Sequence, residues 1–304
     1  MDLLHPQLAA FAAVIDEGSF EAAAQSLAVT PSAVSQRIRA LENRLGQLLI
    51  VRKSPCKATA MGERLLRHVR PMQDLEAEAL AEIVPQSAAV KTAPRVAIAV
   101  NDDSLQTWII EGLSGIHRDT GLTFDIRVDD QDHTLDLLRD GTVLGAVTSE
   151  QAPLPGCNVY PLGALRYLAI ASPAFITRHF SGGLNAHAFN AAPMIVFNRK
   201  DALQWQFVRR VTRARINPPI HYLPTSTGFV EAAALGLGWC LAPEQLVRAA
   251  IDEERVGLLD HTRWVDVALF WQQTAIKSKS MDEVGRGLRS AARAVLRVSG
   301  DRRR

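Results

Sequence analysis

Residues 20–45 read FEAAAQSLAVTPSAVSQRIRALENRL, and the fold of the N-terminal region turns on them. Ser19 stands ahead of the stretch as a helix cap, and Ala22-Ala23-Ala24 are small enough to let another helix approach, so 20–27 reads as a short helix. Ala28-Val29 makes a turn. Thr30-Pro31 then starts a further helix, because the hydroxyl caps free amides and proline is tolerated where no donor is needed. On that helix Val34, Ile38, Leu41 and Leu45 fall at i, i+4, i+7 and i+11 and form one apolar stripe. The opposite face carries Ser32, Ser35, Gln36, Arg39 and Asn43, flanked by Arg37 and Arg44, side chains that bond base edges and phosphates. Upstream, residues 5–16 read as a helix with Leu8, Phe11, Ala12 and Ile15 on one face and Gly18 as its stop. Three helices in this order have the layout of a helix-turn-helix, whose second helix lies in the major groove.

After Gly46, the run 48–51 (LLIV) reads as a strand, and Arg52-Lys53-Ser54-Pro55-Cys56-Lys57 as a basic turn, suited to a wing that touches phosphates or the minor groove. The net charge of the chain, +2, does not announce a nucleic-acid partner. Locally the balance differs: between Thr30 and Ala58 the basic residues Arg37, Arg39, Arg44, Arg52, Lys53 and Lys57 face the single acid Glu42. The expected DNA-contacting set is Thr30, Pro31, Ser32, Ser35, Gln36, Arg37, Arg39, Arg52, Lys53 and Lys57.

FEAAAQSLAVTPSAVSQRIRALE (20–42), LGQLLIVRK (45–53) and ATAMGERLL (58–66) together resemble the winged helix-turn-helix of LysR-type transcriptional regulators. The resemblance implies a bacterial regulator that binds double-stranded operator DNA as a dimer or tetramer. It also implies RNA polymerase as a partner at the promoter, a linker helix, and a two-subdomain effector domain shaped like a periplasmic binding protein.

Thr59 is placed to cap a long amphipathic helix whose apolar positions are Leu65, Leu66, Val69, Met72, Leu75, Leu80 and Ile83, with Pro71 inside it, where a proline usually kinks or interrupts a helix. Its stripe has few neighbours in sequence to cover it, which predicts a partner helix from a second chain. The proline-flanked stretch Pro85 to Pro94 reads as a hinge. The expected organisation is therefore 1–58 for the DNA-binding domain, 59–92 for linker helix and hinge, and 93–304 for the effector domain. Within the last, subdomain I takes about 93–165 and 271–304, and subdomain II about 166–270.

From Arg95 the sequence alternates short apolar strands (95–100, 123–128, 144–148, 167–172, 194–197, 221–223, 239–242, 265–271) with helical segments such as 107–118, 133–140 and 227–235. That alternation predicts an α/β architecture with largely parallel sheets, two small ones with a cleft between them. A hydrophobic share of 47% and a charged share of 22% suit a large packed core. The first apolar stretch is broken by Asp16 and Glu17, and no run reaches the roughly 18 apolar residues of a membrane span, so the chain is expected in the cytoplasm. Cys56, Cys157 and Cys240 are odd in number and far apart, which fits reduced thiols rather than disulfides or zinc.

Ligands in open α/β sheets bind beyond the carboxyl ends of strands, where helix N-termini offer amides. The segments there are Asn101-Asp102-Asp103-Ser104 with Thr107, Asp129-Asp130-Gln131, Thr148-Ser149, Phe197-Asn198 and Thr225-Ser226-Thr227. Their hydroxyls and amides suit a carboxylate, and their acids suit a cation. AVNDDSLQTW (99–108), VDDQDHTLDLLRDGTVLGAVTSE (128–150), PLPGCNVYPLGALRYLAIASPAF (153–175) and STGFVEAAALGLGWCLAPE (226–244) are similar to the arginine- and lysine-responsive ArgP/LysG branch. That likeness implies a basic amino acid as effector and control of its export or metabolism genes. Asp102 stands where the branch commonly has alanine, and Asp129 where it has glutamate. The expected effector set is Asn101, Asp103, Ser104, Thr107, Trp108, Asp129, Asp130, Thr148, Asn198, Thr225 and Thr227.

Two rival readings stay open at this point. Asp129, Asp130 and Asp132 could hold a divalent metal in an enzyme, yet there is no HExxH, no P-loop and no complete GxGxxG, and His133, His221 and His261 are scattered. No cofactor, metal or catalytic role is therefore expected. The other rival is a DNA-binding assembly protein without a small-molecule effector, its acidic run only a solvated loop.

Overall fold

The structure, a computed structural model, describes residues 4–83, 95–128 and 134–298. The segment Pro85 to Pro94, the acids Asp129, Asp130 and Asp132, His133, and Arg302 to Arg304 lie outside the described residues.

The N-terminal unit comprises α1 (Pro6–Glu17), α2 (Phe20–Ser26), α3 (Pro31–Leu45), β1 (Ile50–Val51) and β2 (Lys57–Ala58). Its helix starts follow from capping: Ser19 Oγ accepts the Ala22 amide at 3.1 Å and Thr30 Oγ1 accepts the Ala33 amide at 3.2 Å. Phe11, Val14, Ala23, Val34, Ile38 and Leu49 form its dry core. Leu45 departs from the expected stripe: it is 46% exposed, since it sits in the last helical turn, beyond the reach of α1 and α2. The wing strand is also shorter than the sequence suggests, because β1 pairs with only two residues of β2, and Leu48 is exposed.

The linker α4 (Ala60–Ile83) runs unbroken through Pro71, whose ring is buried. Thr59 Oγ1 accepts the Gly62 amide at 3.1 Å at its start. Its apolar stripe divides. Leu66 and Val69 are buried in the N-terminal core, so that half is covered by its own chain and only the rest is left for a partner helix. Met72, Leu75 and Ile83 are exposed.

The remaining elements are β3 (Arg95–Val100), α5 (Asp102–Ser104), a π-helical stretch (Leu105–Ile109), α6 (Ile110–Thr120), β4 (Thr123–Val128), α7 (Thr134–Arg139), β5 (Gly145–Thr148) and β6 (Cys157–Ala171). They continue with α8 (Pro173–Phe180), α9 (Ala186–Ala191), β7 (Met194–Val196), α10 (Leu203–Val211), β8 (Ile220–Tyr222), α11 (Ser226–Ala234) and β9 (Cys240–Pro243). Last come α12 (Glu244–Asp252), β10 (Gly257–Leu258), β11 (Val265–Thr274) and α13 (Lys279–Val295).

The main sheet has the order β10-β6-β11-β5-β3-β4, with β9 also on β6. Only β3 with β4 and β3 with β5 are parallel; every other pairing in this sheet is antiparallel, which corrects the expectation of largely parallel sheets. The reason is the pair β6 and β11, which run antiparallel from Thr274↔Cys157 to Val265↔Tyr167 and belong to both lobes. One strand ladder therefore joins the lobes where two separate sheets are expected. Parallel β7 and β8 complete the second lobe, with Met194 bridged to Trp239. The apolar core is continuous across the ladder, from Val96 and Trp108 through Tyr167 to Phe189, Phe207 and Trp239.

Candidate functional site

Two regions carry chemistry. On α3, Val34 and Ile38 are fully buried while Ser32, Gln36, Arg39 and Asn43 are exposed and Ser35 and Arg37 half-buried. The polar row thus faces away from the protein, as a groove-reading helix requires. Thr30 and Pro31 form the exposed helix start. Glu42, the one acid in the basic stretch, is buried and engaged: its Oε1 accepts the Leu49 amide and its Oε2 lies 3.6 Å from Arg52. Arg52 also stacks over Phe20 at 5.2 Å. Lys53 and Lys57 are exposed in the wing, and the Cys56 amide donates to Gly18 O at 2.7 Å, fixing the wing against the α1–α2 turn.

The second region is a cavity of about 200 Å³ between the lobes. Asn101, Asp102 and Asp103 enter it from the end of β3, Tyr167 from β6, Phe197, Lys200, Asp201 and Gln206 from the loop and helix after β7, and Ser226 and Phe229 from α11. Hydrogen bonds cross it: Tyr167 Oη donates to Asp103 Oδ2 at 2.6 Å, and the Ser226 amide donates to Asp102 Oδ2 at 2.8 Å. Burial pushes the Asp103 carboxyl above its ordinary value, opposed by hydrogen bonds from Ser226 and Tyr167. Asp201 holds its own loop, accepting the Phe197 amide at 3.1 Å and the Leu203 amide at 3.0 Å. Three carboxylates against the single Lys200 favour a cationic guest. Asn101 is 3% exposed, and both its amide oxygen and nitrogen have no partner among the described residues. Buried polar groups are rarely left so.

Of the expected effector residues, Asn101 and Asp103 line this cavity. Ser104 and Trp108 are buried behind it, with Ser104 Oγ and Trp108 Nε1 unpartnered among the described residues. Thr107 Oγ1 donates back to Asp103 O at 2.6 Å. Thr148 is buried at the end of β5 and accepts the Glu150 amide. Asn198 accepts the Lys200 and Asp201 amides and so builds the loop that presents them. Thr225 caps α11, accepting the Gly228 amide at 3.4 Å, with Thr227 Oγ1 beside it at 3.4 Å. Asp129 and Asp130 fall outside the described residues. Tyr167, Lys200, Asp201, Gln206 and Phe229 escaped the sequence reading. For Asp201 a signal was present: an acid two residues before a helical run, after an Asn that favours turns.

Residues 5–63 match the family described as bacterial regulatory helix-turn-helix protein, lysR family, and residues 91–293 match the LysR substrate binding domain. The chain belongs to the LysR family of bacterial transcriptional regulators. It is 45% identical over 303 residues to the HTH-type transcriptional regulator LysG of Mycobacterium tuberculosis, covering 98% of this chain and 97% of that protein. The crystal structure of ArgP from Mycobacterium tuberculosis superposes with a TM-score of 0.83 at 44% identity, covering 97% of this chain and 99% of that one. Full-length LysG from Corynebacterium glutamicum with bound effector Arg gives 0.73 at 37% identity, covering 97% and 100%.

Proposed function

We propose that this regulator senses a basic amino acid, lysine or arginine, in the cavity between its lobes, and so controls genes for export or metabolism of that amino acid. The observation that carries this reading is the convergence of Asp102, Asp103 and Asp201 on a cavity small beside the roughly 300–1,000 Å³ of drug-sized pockets. The bound Arg of the Corynebacterium glutamicum relative supports the same class. A guest cation would pair with these acids. Because the cavity walls come from both lobes, a guest would shift the population toward one lobe arrangement, and α4 would pass the change to the DNA-binding unit.

The DNA contacts in this proposal are those of the α3 face and wing, with Thr30, Ser32, Ser35, Gln36, Arg37 and Arg39 in the groove and Arg52, Lys53 and Lys57 at phosphates. The domain limits are 1–58, 59–92 and 93–304. Exposed Met72, Leu75 and Ile83 on α4 support pairing with a second chain, and dimers match operators with two half-sites. The chain would act in the cytoplasm, beside RNA polymerase, as a regulator and not an enzyme. Among the described residues no helix is long and apolar enough to cross a membrane.

A thermal-shift panel tests the ligand class. Lysine and arginine should raise the melting temperature with concentration, while citrulline, norleucine and glutamate should not. Stabilisation by the neutral or acidic compounds instead would overturn the proposal.

A further inference from the structure

Tyr167 is 1% exposed, and its ring belongs to the apolar core that runs through both lobes. Its strand is paired on both sides, with Val265 of β11 and Pro243 of β9 opposite it, so the ring has a fixed place. Phenylalanine would fill that place equally well. What the tyrosine adds is a hydroxyl, and the hydroxyl lines the cavity and donates to Asp103 Oδ2 at 2.6 Å. An O–H bond of this length to a carboxylate is charge-assisted and favours the anion over the acid. The surroundings of Asp103 pull the other way: burial disfavours its charge, and Asp102 beside it and Asp201 from the loop after β7 add negative charge. Lys200 stands on that same loop, and the Ser226 side chain, from α11, supplies a second hydrogen bond. A carboxyl left to burial and to its neighbours' charge takes up a proton, and a neutral acid offers a cation nothing. A lysine or arginine in place of Tyr167 would hold the anion but would also neutralise it and repel a cationic guest. A hydroxyl holds it without bringing a charge.

We propose that Tyr167 is a positioning residue for ligand recognition: its hydroxyl, carried on the strand that both lobes share, holds the Asp103 carboxylate in place to receive the cationic group of a basic amino acid. The inference rests on the basic-ligand reading above and assigns a role within it to a residue that need not touch the ligand itself. A cation pairs with the anionic form of Asp103. Affinity is therefore complete above the carboxyl's value in the free protein and is lost as pH falls through it. Without the hydroxyl that value rises, and the loss sets in at higher pH. A residue that only fills space would weaken binding by the same factor at every pH.

The test is calorimetric titration of arginine into the full chain, as wild type and as Tyr167→Phe, from about pH 5.5 to about pH 8, where the guanidinium stays charged. Comparing the two proteins at each pH cancels the titration of the ligand and of groups elsewhere. Tyr167→Phe should bind about ten-fold more weakly at the acid end, the scale of one hydrogen bond to a charged group, and the deficit should shrink as pH rises. Asp103→Asn, which has no proton to lose there, should lack the acid decline altogether. Melting curves without ligand establish that the variants are folded. Should Tyr167→Phe not fold, replacing the three tyrosines by 3-fluorotyrosine, a stronger hydroxyl donor, tests the same bond in the opposite sense, since Tyr160 and Tyr222 do not line the cavity. The acid decline should then move to lower pH, and a decline that stays in place would overturn the inference. A deficit in Tyr167→Phe that is the same at every pH, or no deficit, would overturn it too, as would an acid decline that survives in Asp103→Asn. Each of these results leaves the proposed function standing, because arginine still binds. Failure of both arginine and lysine to bind the wild type at any pH would overturn both.

Discussion

Glu42 Oε1 accepts the Leu49 amide at 2.9 Å, tying the outward-facing helix α3 to the residue that leads into the wing. Both groups are buried, and Glu42 Oε2 also faces Arg52 at 3.6 Å. Glu42→Ala leaves a buried amide without an acceptor, an arrangement that costs about 1–3 kcal/mol. Urea denaturation should show that loss, and operator titration should show weaker binding because Arg52 and the wing lose their anchor. A variant with unaltered stability and affinity would refute the tie.

The α3 face makes a second prediction with two distinguishable parts. Gln36→Ala and Arg39→Ala should each weaken binding to the operator by about 1–3 kcal/mol and should matter less on unrelated DNA. Lys53→Ala and Lys57→Ala should weaken binding to both alike and lower the salt dependence by about one counterion each. Titrations on operator and random duplex at several salt concentrations separate these behaviours. Identical profiles for the two pairs of variants would misplace the groove-facing row.

How much of this could be read beforehand differs between the two ends of the chain. In the N-terminal unit the determinants are local: Ser19 and Thr30 cap helices a few residues away, and the Val34–Ile38–Leu41 spacing fixes the buried face. In the effector domain they are not. Tyr167 meets Asp103 across 64 positions and Ser226 meets Asp102 across 124, so no window of sequence contains the pair. The length of β6 was hidden for another reason. Pro161 and Gly163 interrupt its pattern, and they lie where the register with β11 shifts between Leu269 and Phe270.

A third prediction concerns the junction of α4 with α13. Ser278 caps α13, accepting the Met281 amide at 3.2 Å, and both Asp74 and Glu78 reach its hydroxyl. One hydroxyl proton cannot serve two anions. Burial pushes the Asp74 carboxyl up, with the nearby Glu78 charge adding and the Ser278 bond opposing. Burial also raises Glu78, but the Ser280 amide, the Ser278 hydroxyl and their neighbours outweigh it and hold Glu78 low. A raised Asp74 contributes stability below its unfolded value near ~3.9 that is lost as pH climbs through the folded value. A lowered Glu78 contributes stability above ~4.3 that is lost as pH falls through the folded value. At neutral pH the Asp74 charge is therefore the liability. Asp74→Asn should raise Tm by about 2–4 °C at pH 7, and the gain should vanish as pH approaches ~4. Thermal unfolding at a series of pH values decides, and a gain independent of pH would mean the effect is not electrostatic.

The last prediction separates backbone strain from a contact between units. Gly141 has φ +76°, and a Cβ there would meet Arg67 Cα on α4 at 2.6 Å. Gly46 has φ +65° with nothing within 4 Å of the same position. Gly46→Ala should thus cost only the left-handed penalty, about 1–2 kcal/mol. Gly141→Ala carries that penalty and also drives α4 away from the effector domain, since the obstacle is helix backbone and not a flexible side-chain end. If α4 transmits the state of the cavity, Gly141→Ala should bind lysine or arginine nearly as wild type yet lose most of the ligand-dependent change in operator affinity. Gly46→Ala should keep that change. Measuring operator affinity with and without saturating ligand gives the coupling for each variant. Equal coupling in both would mean that the signal does not pass through the Arg67–Gly141 contact, whatever their stabilities.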